Sequence, residues 1–188
     1  ILVLGFLNYL PYSKHLHVVV SLPNTYLANT NGPGTIGAMR LMDFNGAEAE
    51  QFGASDVEHL SWKSLLDGFA CTECGRCTAV CPAHITGKML SPRKIMINVR
   101  ERLEAKAPWM VTDAAGVATL SPDAPAGLAT QTLLGGYITD EELWACTSCR
   151  ACVYECPVSI DQLSVINELR RNLVLMDCLL YTSPSPRD

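Results

Sequence analysis

Residues 71–82 read Cys71-Thr72-Glu73-Cys74-Gly75-Arg76-Cys77-Thr78-Ala79-Val80-Cys81-Pro82, and residues 146–157 read Cys146-Thr147-Ser148-Cys149-Arg150-Ala151-Cys152-Val153-Tyr154-Glu155-Cys156-Pro157. Both stretches are CxxCxxCxxxCP. Three thiolates at this interval can wrap one iron–sulfur cube in a single turn of chain, with the intervening backbone N–H groups pointing at the sulfides. The fourth cysteine stands further on, before a proline that fixes the exit direction and removes a backbone donor. It leaves the loop at the start of the next segment and cannot reach the same cube. The spacing therefore predicts crossed ligation: Cys71, Cys74 and Cys77 with Cys156, and Cys146, Cys149 and Cys152 with Cys81. Small residues such as Thr72, Gly75, Thr78, Thr147, Ser148 and Ala151 leave room for each cube.

Two bland readings compete. Structural zinc also uses paired CxxC, but a zinc site closes with four ligands and has no use for a third cysteine at the same interval in both halves. Disulfides among eight cysteines in two tight knots would close strained, very short loops. Two 4Fe-4S clusters are the expected cofactors, because this is the ligand run of bacterial two-cluster ferredoxins. Electron transfer is the function that follows. The cysteines are then ligands and not nucleophiles, and no acid or base residue stands out as catalytic.

Composition narrows the setting. The chain is 48% hydrophobic and only 18% charged, richer in apolar residues than an ordinary soluble domain, so part of it is expected to face lipid or a partner. The net charge of -5 gives no basic footprint and argues against nucleic acid. Thiolate-bound clusters need a reducing compartment, which favours the cytoplasmic side of the inner membrane. Ile1 to Leu10 is an apolar run ended by Pro11, short of the about 20 residues a span needs, and reads as the end of a transmembrane helix lying upstream. Tyr12 and Lys14 suit a membrane interface.

Four segments are expected: 1–26 as the end of a membrane domain, 27–54 as a linker with the turn cluster Asn31-Gly32-Pro33-Gly34, 55–177 as the cluster domain, and 178–188 as an artefact. The last of these, CLLYTSPSPRD, resembles a translated sequencing-library adapter, which makes Cys178 no ligand. Within 55–177 the halves are parallel, each a helix, a CxxCxxC turn, a CP step and a helix. Ser55 and Asp56 are expected to cap a helix to about Gly68, with Leu60, Leu65, Leu66 and Phe69 inward. Ser91 and Pro92 start a helix carrying Ile95, Val99 and Leu103, with Lys94, Arg100 and Arg102 on the wet face. Thr139 and Glu142 form a capping box, and Ile160, Leu163, Ile166, Leu169 and Leu173 stripe the last helix. Residues 108–137 lack a sustained period and read as a long excursion with room for one short element. His59 and His84 are expected to be structural.

Residues 82–145 lie between the two knots, and the flanks are helical. The chain thus resembles the alpha-helical ferredoxin of succinate dehydrogenase, fumarate reductase and heterodisulfide reductase components, a mainly α fold. More closely, WKSLLDGFACTECGRCTAVCPAHITGKMLSPRKI and ELWACTSCRACVYECPVSIDQLSVINELRRNLVL resemble heterodisulfide-reductase-related iron–sulfur oxidoreductases fused to a nitrate-reductase-gamma-like membrane domain. PYSKHLHVVVSLPN is similar to the end of that membrane domain. The resemblance implies a haem b ligand at His17, with His15 at the interface, and a relay between a soluble redox protein, such as an electron-transfer flavoprotein or a reductase subunit, and membrane haem or quinone. It also implies cysteine-rich CCG domains beyond this segment. Two other classes remain open: a soluble iron–sulfur carrier with an apolar docking segment, and a structural cluster-binding protein without redox turnover.

Overall fold

The computed structural model describes residues 2–13, 15–28, 52–112 and 118–176. Most of the expected linker and all of the tail from 178 onward lie outside them. Helix α1 (Leu2–Tyr9) is apolar and has no buried residue, with Leu2 89% and Phe6 58% exposed. A 3-10 turn at Leu10–Tyr12, with Pro11 in its first turn, ends it. Helix α2 (Leu16–Tyr26) follows and packs on α3 (Trp62–Ala70). Among the described residues no helix is long and apolar enough to cross a membrane.

The core sits between two long helices, α6 (Pro92–Lys106) and α10 (Gln162–Met176), in the order α3, α4 (Arg76–Ala79), α5 (Pro82–Ile85), α6, a small hairpin, α7 (Ala126–Thr130), α8 (Asp140–Trp144), α9 (Ala151–Tyr154), α10. Ser91 caps α6 by accepting from the Lys94 N–H, and Pro92 enters where no N–H is needed. Ile95 and Val99, one turn apart, are fully buried with Met96 between them. On α10, Leu163, Ile166, Leu169 and Leu173 are all buried, as the stripe predicts. Each such side chain contributes about 1.5–3 kcal/mol by leaving water. Thr139 and Glu142 make the expected capping box at α8, with Oγ1 of Thr139 accepting from the Glu142 N–H and Glu142 Oε2 accepting from the Thr139 N–H.

Three expectations need correction. The helix expected from Asp56 to Gly68 is two elements. Asp56 caps a 3-10 turn, Val57–His59, which the His59 ring closes from Nδ1, and Ser61 then caps α3 separately. The buried face of α3 is Ser64, Asp67, Gly68 and Ala70, while Leu65, Leu66 and Phe69 are only half-buried; α6 approaches so closely that a Cβ on Gly68 would touch the Arg100 backbone at 3.6 Å. Second, Arg102 is not on the wet face. It is fully buried, and its guanidinium grips Asp56 from Nε at 2.9 Å and Nη2 at 2.5 Å, while Nη2 also donates to the Leu128 and Gln131 carbonyls. Lys106 adds a bond to Asp56 at 2.9 Å and pairs with Glu58. Arg100 is half-buried and pairs with Glu73 at 2.5 Å, whereas Lys94 is exposed as expected and reaches Glu142 at 2.7 Å.

Third, the excursion 108–137 has structure. Strands β1 (Met110–Thr112) and β2 (Ala118–Leu120) pair antiparallel with Met110 opposite Leu120, and Leu133, with Ile138 just past the excursion, enters the core fully buried. The chain ahead of position 55 is also packed. Ala54 is fully buried and donates to the Glu168 carbonyl at 3.0 Å, while Asn172 Nδ2 donates to the Phe52 carbonyl at 2.9 Å. Gly53 sits between them at φ +70, where a Cβ would lie 2.4 Å from the Asn172 nitrogen.

Candidate functional site

The two cysteine loops share one backbone design. In the first, Glu73 and Gly75 are left-handed, at φ 55 and 82; in the second, the equivalent positions Ser148 and Arg150 are left-handed, at φ 56 and 62. A left-handed residue turns successive N–H groups toward one side and builds an anion-binding concavity. The N–H groups of Glu73 and Ser148 accordingly point back at Cys71 and Cys146, the latter at 3.4 Å from Sγ. Three of the four turning residues are not glycine, a conformation that persists only where the surroundings over-determine it. Each loop then runs into a four-residue helix, α4 or α9, that carries the third cysteine inward. Cys77 and Cys152 are both buried, and α4 packs on α9.

This packing brings the loops together crosswise. Cys71, Cys74 and Cys77 line a recess, partly open to solvent, whose other wall carries Cys156 from the second loop. The electrostatics reflect how closely the two loops approach one another. Burial pushes the Cys71 and Cys77 thiols up, with charge on Cys156 adding to both; burial pushes Cys146 up, with Cys81 adding. Cys152 is driven furthest, to about 12, by burial and then by Cys146, Cys77 and Cys81. Cys74 goes the other way, because the Arg76 N–H stabilises its thiolate. Buried thiols this close do not ionise together unaided, so the donor set suits a cationic metal centre that displaces their protons. Among the described residues no three His, Cys, Asp or Glu side chains gather tightly enough to hold a single ion. Four cysteines around one recess match the thiolate count that an iron–sulfur cluster uses.

An arginine from each long helix pins a loop at the same register. Arg100 on α6 holds Glu73, and Arg170 on α10 donates to Ser148 Oγ at 3.2 Å, to the Leu143 carbonyl at 2.6 Å and to the Cys146 carbonyl. Arg170 also lies over the Trp144 ring, 5.2 Å from its centroid. The sequence reading missed Arg170 and put Arg100 in solvent, since nothing in helical periodicity marks an arginine that bends back onto a neighbouring loop.

Asn24 was also unforeseen. It is fully buried on α2, where Nδ2 donates to Asp67 at 2.9 Å and to the Val158 carbonyl at 3.0 Å, and Oδ1 accepts from Lys63 at 2.9 Å. Lys63 and Asp67 pair at 2.6 Å, yet burial outweighs Lys63 and Asn24 and leaves the Asp67 carboxyl above its ordinary range. The N-terminal helix is thus tied to the chain just past Cys156. His17 lies half-buried on α2 and is not among the residues lining the recess.

Fold and loops together define a dicluster iron–sulfur domain of the helical kind. Residues 70–160 match the family described as 4Fe-4S dicluster domain. The chain is 38% identical, over 93% of its length, to the probable iron-sulfur-binding oxidoreductase FadF of Bacillus subtilis, 37% identical over 90% to the EtfAB:quinone oxidoreductase of Syntrophomonas wolfei, and 33% identical over 81% to a probable membrane-anchored ferredoxin of Chromohalobacter salexigens. It is a homologue of iron–sulfur oxidoreductases, and it spans about a quarter of the length of these curated relatives: 27%, 24% and 23%. No solved structure matches. The family match supports iron–sulfur clusters and lends no support to haem at His17.

Proposed function

We propose that this segment is the two-cluster electron relay of a membrane-associated oxidoreductase. Cys71, Cys74, Cys77 and Cys156 ligate one 4Fe-4S cluster, and Cys146, Cys149, Cys152 and Cys81 the other. Such clusters supply one-electron acceptance and release, with potentials set by burial and by hydrogen bonds to sulfur. The chain's own residues hold that chemistry in place. The left-handed turns aim N–H groups at the thiolates, Arg100 and Arg170 fix the loops, and the packed α4 and α9 keep the two ligand sets adjacent. The observation that carries the reading is the recess walled by three cysteines of one loop and the fourth of the other.

The soluble partner in this reading is an electron-transfer flavoprotein, and the far acceptor is a quinone, on the cytoplasmic side of the plasma membrane. Support comes from the name of the Syntrophomonas relative, from the membrane-anchored relative, and from the exposed apolar face of α1. The test is anaerobic reconstitution, followed by iron and sulfide analysis and EPR of the reduced protein. About eight iron and eight sulfide per chain, with two interacting reduced signals, are expected. Reduced electron-transfer flavoprotein should then bleach the cluster absorbance, and a short-chain quinone should restore it within the intact protein. Zinc in place of iron, or clusters that never reduce, would replace the relay with a structural role.

A further inference from the structure

One polar side chain in the cysteine recess has no visible use. Gln162 is the first residue of α10, is only 2% exposed, and lines the recess that Cys71, Cys74, Cys77 and Cys156 bound. Its Oε1 is buried without a donor among the described residues, a costly condition for an amide. The oxygen and nitrogen of a carboxamide exchange places by a half-turn of the last torsion, so the same side chain can present either end. Thiolates and sulfides accept hydrogen bonds and donate none. The useful end toward a cluster is therefore the NH2. The setting favours negative charge on that side, because the first turn of a helix carries free N–H groups and the positive end of its dipole. Asp161 uses part of that capacity, its carboxylate accepting from the Ser164 N–H at 3.0 Å and from Ser164 Oγ at 2.8 Å. Arg93, which also lines the recess, adds a cation.

We propose that Gln162 donates a hydrogen bond from Nε2 to a sulfur of the cluster held by Cys71, Cys74, Cys77 and Cys156, and thereby raises the reduction potential of that cluster alone. The inference rests on the ligand set proposed above. Reduction adds one electron and one unit of negative charge, and a donor aimed at sulfur stabilises the reduced state more than the oxidised one.

The experiment is an EPR-monitored redox titration of the reconstituted chain, with the two signals assigned by Cys156→Ser. In Gln162→Met, which keeps the length and removes the donor, the reduced-to-oxidised ratio of this cluster at fixed potential should fall about fivefold. At 59 mV per tenfold for one electron, that is about 40 mV. The other cluster should hold its midpoint, and iron and sulfide should stay at wild-type levels. A wild-type midpoint in the variant, or equal movement of both clusters, overturns the proposal. A second readout needs no variant: wild-type protein carrying side-chain 15N-glutamine should show a nitrogen coupling on this cluster's signal in pulsed EPR, and its absence overturns the proposal too. Wild-type chain that binds no pair of clusters would instead defeat the ligand assignment, which separates the two failures.

Discussion

Replacing Asp56 by Asn tests what holds the cluster scaffold together. The Arg102 side chain is 0% and that of Asp56 5% exposed, and Lys106, at 8%, bonds the same carboxylate. Burial alone would raise the Asp56 carboxyl, but the hydrogen bonds from Arg102 and Lys106 overcome it and hold the group below its ordinary range. Asn at this position leaves two buried cations facing a neutral amide. Breaking a buried pair by removing one partner costs about 3–5 kcal/mol, a large part of the ~5–15 kcal/mol that a domain has. With a urea slope of ~2 kcal/mol per molar, the midpoint should fall by about 2 M. The assay follows cluster absorbance and far-UV circular dichroism together under anaerobic conditions. Because the folded value lies below the unfolded one near ~3.9, the contribution is complete above ~pH 4 and is lost only as pH falls through the folded value. The gap between wild type and D56N should thus be equal at pH 6 and pH 8. A shift under about 0.5 M, or one that changes across that window, would refute the buried-pair account.

Cys156→Ser should damage the cluster whose other ligands are Cys71, Cys74 and Cys77, and Cys81→Ser the one bound by the second loop; iron analysis and EPR read both, and damage confined to the mutated loop's own trio would sink the crossing. Gly53→Ala forces a Cβ to within 2.4 Å of the Asn172 nitrogen at a left-handed φ, so it should cost more than ~1 kcal/mol and lower the urea midpoint; a wild-type midpoint would show that segment 52–54 does not need its grip on α10. Asn24→Leu removes two donors and an acceptor from a buried hub and leaves Asp67 and the Val158 carbonyl short of partners, a loss of about 1–3 kcal/mol. Limited proteolysis should then cut between α2 and α3 faster than in wild type, with the iron content unchanged.

What the sequence disclosed depends on which physical signal each feature leaves. In the proposed ligand sets the cysteines must sit at fixed intervals to surround a cube, so the interval itself carries the reading, and the proposed crossing follows from the reach of the chain past Pro82 and Pro157. The stripes on α6 and α10 and the box at Thr139 are local regularities and were equally legible. Arg102 was not, because its burial depends on Asp56 meeting it from a turn 46 residues earlier in the chain, and a hydropathy pattern assigns any arginine to water. The same holds for Asn24, whose partners sit on α3 and just beyond Cys156, and for Leu133 and Ile138, which lie in an aperiodic stretch and are buried only because the chain folds back there.

These unforeseen contacts share a direction. Asn24 reaches the chain just past Cys156, and Arg100 and Arg170 reach the turning residues beside Cys71 and Cys146. In the proposed relay the cysteines specify where iron goes, but they do not make the loops rigid. Left-handed Ser148 and Arg150 carry strain that glycine would avoid, and an arginine fixed by the Leu143 and Cys146 carbonyls is what can hold that turn. A relay gains from such rigidity, since a loop that does not move on reduction leaves little reorganisation to oppose the next electron. Removing Arg170 should therefore loosen the second loop and broaden its EPR signal before it costs any iron.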